Sequence, residues 1–204
     1  MWRLSARKRI VLSIALVMLA AGMIGLGAFA TFTSTTSASH SVTTGTVTIA
    51  LGATGASTNR LNVDASGVAP GDTMQRSFDL INQGSLDLAS ITLTTSAPTS
   101  SLLDTDATNG LQMVIDRCSV AWTEAGSSPA FTYTCSGSTS TVLASRAVIG
   151  TNLALANLGA LSAGVTDRLR LTLTLPTTAD NSFQTKTSTL QYSFTGTQRA
   201  ATNR

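Results

Sequence analysis

Strict alternation of apolar and polar residues recurs along most of this chain, and a period of two is the mark of strands with one buried face. The clearest run is "DRLRLTLTLP", where Leu169, Leu171, Leu173 and Leu175 oppose Arg168, Arg170, Thr172 and Thr174. "STLQYSFTGT" repeats the pattern with Leu190, Tyr192 and Phe194, "ASITLTTSA" sends Ile91 and Leu93 inward, and "FTYTC" aligns Phe131, Tyr133 and Cys135. In "GTVTIALG" the inward set is Val47, Ile49 and Leu51; in "DTMQRSFDLINQGS" it is Met74, Phe78 and Leu80, with Arg76 the exception. Between the runs stand "APGD", "NQGS", "TNG", "EAGSSP" and "SAG", all turn chemistry. After residue 40 no stretch keeps a helical period over twelve residues. "SRAVIGTNLALANLGALSAG" is the only place where a short helix has room, and its glycines argue against a long one. Many short strands with regular turns predict an all-β fold over residues 46–197, an antiparallel β-sandwich of jelly-roll type.

The first thirty residues follow another rule. Ile10 to Ala30 carries no charge and exceeds the roughly 18 to 20 apolar residues that cross a bilayer. Arg3, Arg7, Lys8 and Arg9 precede it, and Ala28-Phe29-Ala30 offers small residues where a signal peptidase reads them. Residues 1–30 therefore read as a signal peptide cleaved before Thr31, with an uncleaved transmembrane helix as the alternative. Either way the positive flank keeps the N-terminus inside and places the rest outside the cytoplasm, secreted or at the cell surface, and membrane-anchored if the leader stays. The export signal peptidase is one expected partner, and the membrane is another before cleavage. Residues 31–45 read as a flexible segment and residues 198–204 as a mobile tail. "TFTSTTSASHSVTT" holds no proline and no charge, with Phe32 and Val42 its only large apolar side chains. It is a candidate donor strand, able to add to a sheet edge of another subunit; a disordered tail is the plain alternative.

Composition narrows the rest. Four of the thirteen Lys and Arg lie in the leader, which leaves nine basic against ten acidic residues in the exported part. No basic stripe is available to neutralise phosphates, so nucleic-acid partners are excluded. Cys118 and Cys135 are the only cysteines, and an exported chain meets oxidising conditions, so they read as one disulfide between two strand-like runs, with free thiols as the alternative. Closing a loop of this size stabilises a fold by about 3 kcal/mol, a purely structural role.

Candidate chemistry is sparse. His40 is the single histidine, so a zinc site of the H-E-x-x-H kind cannot be built, and a Ser-His-Asp triad would need that same His40 in a Ser/Thr-rich segment where nothing positions it. Asp104 and Asp106 in "SLLDTDATNGL" resemble the start of a calcium loop, yet glycine falls at the seventh position and Ile115 stands where the bidentate acid belongs. A turn rich in Asp and Asn accounts for them. No catalytic residue, cofactor or metal ligand is expected. Trp122 is the one aromatic candidate for stacking on a sugar, against the alternative of a core tryptophan.

Three stretches together resemble the TasA/camelysin family of secreted bacterial proteins, whose leaders a dedicated signal peptidase removes. "GAFATFTSTTSASHSVTTGTVTIAL" is similar to the family's cleavage region and first strand. "VAPGDTMQRSFDLINQGSLDLASITL" resembles its central core, with Pro70, Gly71, Asp72, Asn82, Gly84 and Ser85 at the matching positions. "LSAGVTDRLRLTLTLP" with "NSFQTKTSTLQYSFTGTQ" looks like its closing strand pair, and residues 96–157 lie outside the likeness. The resemblance implies a jelly-roll domain that self-assembles, or joins related surface proteins, into biofilm-matrix fibres. It also offers an alternative, since camelysin-type relatives are labelled metallo-endopeptidases. A carbohydrate-binding or adhesive sandwich module is a third reading, which fold alone cannot establish. The cysteine pair and the scarcity of lysine and glutamate depart from the family's pattern. The residues of "PGD" and "NQGS" have a structural meaning first, as turn backbones needing positive φ.

Overall fold

The alternating runs become ten strands in a computed structural model that describes residues 44–62, 64 and 67–202. They are β1 (Ile49–Leu51), β2 (Thr73–Asn82), β3 (Leu88–Thr99), β4 (Gln112–Cys118), β5 (Thr123–Ser127), β6 (Ala130–Thr134), β7 (Thr139–Ala147), β8 (Gly150–Ala154), β9 (Thr166–Thr174) and β10 (Thr189–Gln198). Sheet one has the order β1-β2-β9-β4-β7, sheet two the order β10-β3-β8, and β5 with β6 forms a separate hairpin. All pairings are antiparallel.

The inward phase of each run makes the core. Leu169, Leu171 and Leu175 of the β9 run are at most 2% exposed, and Phe78, Leu80, Ile91, Leu93 and Ile115 at most 1%. Each such side chain contributes roughly 1.5–3 kcal/mol by leaving water. The rings of Phe78 on β2 and Phe194 on β10 meet at 5.4 Å, which ties the two sheets face to face. Arg76 does not break the β2 phase: it lies buried at 5% exposure, its guanidinium donating to the carbonyls of Gln75 and Asp64.

Without the β5–β6 hairpin, seven of the other eight strands have jelly-roll connectivity: β2-β9-β4-β7 in one sheet, β10-β3-β8 in the other. A closed jelly roll sets its first strand beside its last. Here β1 pairs with β2 instead, in the register Ile49–Asn82, Ala50–Ile81 and Leu51–Leu80.

Three sequence expectations are corrected. Val47 is 39% exposed and precedes the three-residue β1, because residues 44–48 are taken up by the turn after β2 rather than by a sheet face. The stretch 145–164 holds no helix; it completes β7 and forms β8. The single α-helix among the described residues, α1 (Leu102–Thr105), falls instead in the stretch read as a turn. Ser101 caps it, receiving the Leu103 N–H, while Asp104 reaches back to the Ser101 N–H at 2.7 Å.

Candidate functional site: an unpaired sheet edge and the turn that leads to it

The displacement of β1 has a direct result at β10. Among the described residues, no strand pairs with the outer edge of β10, so one side of a ten-residue strand keeps its backbone donors and acceptors free of a ladder. Leu190, Tyr192 and Phe194, the inward row of β10, are only half-buried, although they pack against the core. An apolar row with one flank open and an unpaired backbone beside it is the geometry that accepts an added strand.

Both ends of this edge are fixed. At its start, Ser188 donates to the Asp104 carboxylate and shares a 2.7 Å contact with the Ser101 hydroxyl, while Ser100 donates to the other Asp104 oxygen at 2.7 Å. Burial alone would raise the Asp104 pKa; the hydrogen bonds from Ser188, the Ser101 N–H and Ser100 outweigh it and hold the carboxyl below its ordinary range. At its far end, the built position of a Cβ on Gly196 lies 2.4 Å from Ile49 Cδ1, so the absence of a side chain lets β1 lie across β10.

Residues 44–48, which join β1 to the segment before it, dock on the "NQGS" turn. Ser85 N–H donates to Thr46 O at 3.0 Å, Thr46 N–H to Ser85 Oγ at 3.0 Å, and Gln83 N–H to Thr48 O at 2.9 Å. Asn82, fully buried, shapes the turn: its Oδ1 accepts the Gly84 N–H at 3.0 Å and its Nδ2 donates to Leu86 O at 3.1 Å. Gly71 has the positive φ expected of it, +94°. Gly84 does not, and its glycine serves another need: a Cβ there would stand 2.4 Å from Thr46 O. The turn is built for close approach of the incoming chain.

On the other side of the molecule the β5–β6 hairpin makes a small core of its own over the outer face of sheet one. Cys118 and Cys135 are joined at its root, with Cα atoms 5.8 Å apart. Phe131 and Tyr133 are buried at 9% and 5% exposure but lie apart from the sandwich core. The Tyr133 N–H donates to Gln75 Oε1 at 3.0 Å and the Arg170 guanidinium to Tyr133 O. Arg60 grips Glu124 twice, at 2.7 and 3.0 Å, and lies 4.7 Å over the Phe131 ring. This pairing, together with the Tyr133 hydroxyl, holds Glu124 below the ordinary carboxylate range. Trp122 is neither a core residue nor a free platform. It is half-buried, its indole N–H donates to Arg168 O at 3.0 Å, and Arg170 covers one ring face at 4.5 Å. Sequence reasoning missed Arg170 over Trp122 and Arg60 over Phe131, since no local spacing joins residues so far apart.

Ala28, Ala30 and Thr31 of the leader junction, Phe32 and Val42 of the donor segment, and His40 lie outside the described residues. Among the described residues no three of His, Cys, Asp and Glu are grouped so as to hold a metal ion. Asp116 pairs with Arg170 at 2.9 Å, Asp167 with Arg117 at 2.8 Å, and Asp106 accepts the N–H groups of Thr108 and Asn109, as a turn requires. Both cysteines are spent in the disulfide, so the donor set of the described residues does not fit a zinc centre built from His, Cys and carboxylates. A cleft of about 150 Å³, lined by Val68, Met74, Arg76 and Phe131 among others, is below the size of an ordinary small-molecule pocket.

Fold and edge together define a class: an antiparallel jelly-roll sandwich whose last strand, among the described residues, lacks its usual neighbour. The family described as camelysin metallo-endopeptidase matches residues 5–203, nearly the whole chain, and the protein belongs to that TasA/camelysin family of secreted and cell-surface bacterial proteins. No curated protein matches the chain.

Proposed function

We propose that this protein is a secreted or cell-surface structural subunit of a biofilm matrix, assembling by donor-strand addition. The segment from Thr31 to about Thr44 of one copy adds to the outer edge of β10 in the next and takes the place that the first strand holds in a closed jelly roll. The observation that carries this reading is the β10 edge, unpaired among the described residues, beside half-buried Leu190, Tyr192 and Phe194. Family membership supports the location and the coarse class. Alone, the segment cannot offset an ordering cost of about 1 kcal/mol or more per residue. On the edge it gains a backbone ladder and a slot for Phe32. Deleting Thr31 to Ser41 abolishes higher-order assembly in electron micrographs while leaving thermal unfolding of the domain nearly unchanged. Fibres from the truncated chain, or an intact leader-free chain that stays monomeric at high concentration, would refute the proposal.

The family's description supports a second reading, a secreted metallo-endopeptidase. Casein cleavage by the purified mature protein, lost on chelation, distinguishes it from the first.

A further inference from the structure

The two faces of the sandwich differ in charge. The outer face of sheet one carries Asp79, Asp116, Arg168 and Arg170 and is roofed in part by the disulfide-rooted hairpin. Sheet two is the reverse: β3, β8 and β10 contain no Asp, Glu, Lys, Arg or His. Its outward phase is hydroxylated and in register, Ser193 facing Thr94, Thr195 facing Thr92 and Thr197 facing Ser90 across the β10–β3 pair. Exposed sheet faces of monomeric proteins ordinarily carry charges that keep neutral surfaces from associating.

A second observation extends this face. In "TFTSTTSASHSVT" every odd position from 31 to 43 is Ser or Thr, whereas Phe32 and Val42 fall on the even phase. A strand added to β10 with Phe32 turned inward therefore presents only hydroxyls outward, continuing the β10 row by one more strand. This continuation rests on the donor-strand reading; the three-strand face does not.

We propose that the outer face of sheet two is a docking surface for neutral, polyhydroxylated polysaccharide. Hydroxyls supply both donors and acceptors, so they match a sugar polymer's own groups directly or through water, and nothing on the face rewards an ionic partner. Area argues against a second copy as the occupant. Three strands of five to twelve residues cover at most about 40 by 15 Å, or roughly 600 Å², against about 800 Å² per partner in a stable protein pair. A polymer crossing many identical faces needs little from each, since linkage turns later contacts into intramolecular ones.

The test is retention of the mature protein on neutral glucans, with dextran beads and cellulose as probes and carboxymethyl-dextran beads as the charged counterpart of the same backbone. The expected result is retention on a neutral glucan that survives added salt. In Ser193→Lys/Thr197→Lys, whose side chains are exposed and not opposite one another, retention falls about tenfold, because two ammonium groups lose water without gaining a partner. Thermal unfolding stays within a degree or two of the parent, and Ser193→Thr retains binding. Absence of wild-type retention on both neutral glucans, retention only on the carboxymethyl beads, or equal retention by the double lysine variant overturns the proposal. So does a change in fibre width or light scattering without a change in retention, which would make the face a contact between copies. The Thr31–Ser41 deletion, assayed on the same beads, separates the two readings: loss of fibres bears on donor-strand addition, and retention of the remaining monomer bears on this face.

Discussion

Replacing Asn82 by alanine tests whether the "NQGS" turn is the anchor of the incoming chain. The side chain is fully buried and makes two hydrogen bonds, accepting from Gly84 N–H at 3.0 Å and donating to Leu86 O at 3.1 Å. Alanine leaves Leu86 O without its donor and Gly84 N–H with only its longer bond, 3.2 Å to Thr48 O. An orphaned buried donor or acceptor costs about 1–3 kcal/mol, so one orphan and one weakened bond together are worth about 2–3 kcal/mol. At the 2–4 °C per kcal/mol usual for a domain of this length, melting falls by about 4–12 °C. Gln83→Ala, one residue on and exposed, serves as the control and changes stability by less than about 0.5 kcal/mol. The assay is urea unfolding of the mature protein, joined to amide exchange. The Ser85 and Gln83 N–H groups, which donate to Thr46 O and Thr48 O, exchange faster in the variant, because the turn that aims them is loosened. A loss below 1 kcal/mol, or unchanged exchange at these two amides, would refute the reasoning.

Two further outcomes follow from the hairpin. Cys118→Ala/Cys135→Ala lowers stability by about 3 kcal/mol in urea, the chain-entropy value for a loop of this length; the sandwich core, which includes neither cysteine, keeps its fold by near-ultraviolet dichroism. Glu124 is held below its ordinary range chiefly by Arg60, so the stability this adds is present above the unfolded carboxylate pKa and is lost as pH falls through the lower folded value. The melting-temperature gap between the parent and Glu124→Gln therefore narrows on titration from pH 7 to about 3; a constant or widening gap contradicts the pairing.

Alternation revealed the strands because a half-buried sheet writes its inside and outside directly into the residues, as Leu169, Leu171 and Leu173 show against Arg168 and Arg170. It could not reveal α1, whose four residues are barely one turn, although Ser101 and Asp104 carry the spacing of a capping box. Arg76 looked like a fault in the β2 phase since its burial depends in part on a distant carbonyl, twelve residues away at Asp64. The open edge was legible only as a candidate strand seeking a partner. Which edge stands unpaired depends on β1 choosing β2 over β10, a tertiary choice helped by Gly84 and Gly196, which read locally as ordinary small residues.

The hairpin tied at Cys118 and Cys135 has a consequence for how this protein can change. Its tip, Ser127 and Ser128, is exposed, and its two buried rings lie outside the sandwich core. Substitution or lengthening at the tip thus meets neither the sandwich core nor the β10 edge, while the covalent root keeps the arm's base in place. The arm is a site where outward identity can diversify, by evolution or by grafting a foreign peptide, without renegotiating the fold that carries it.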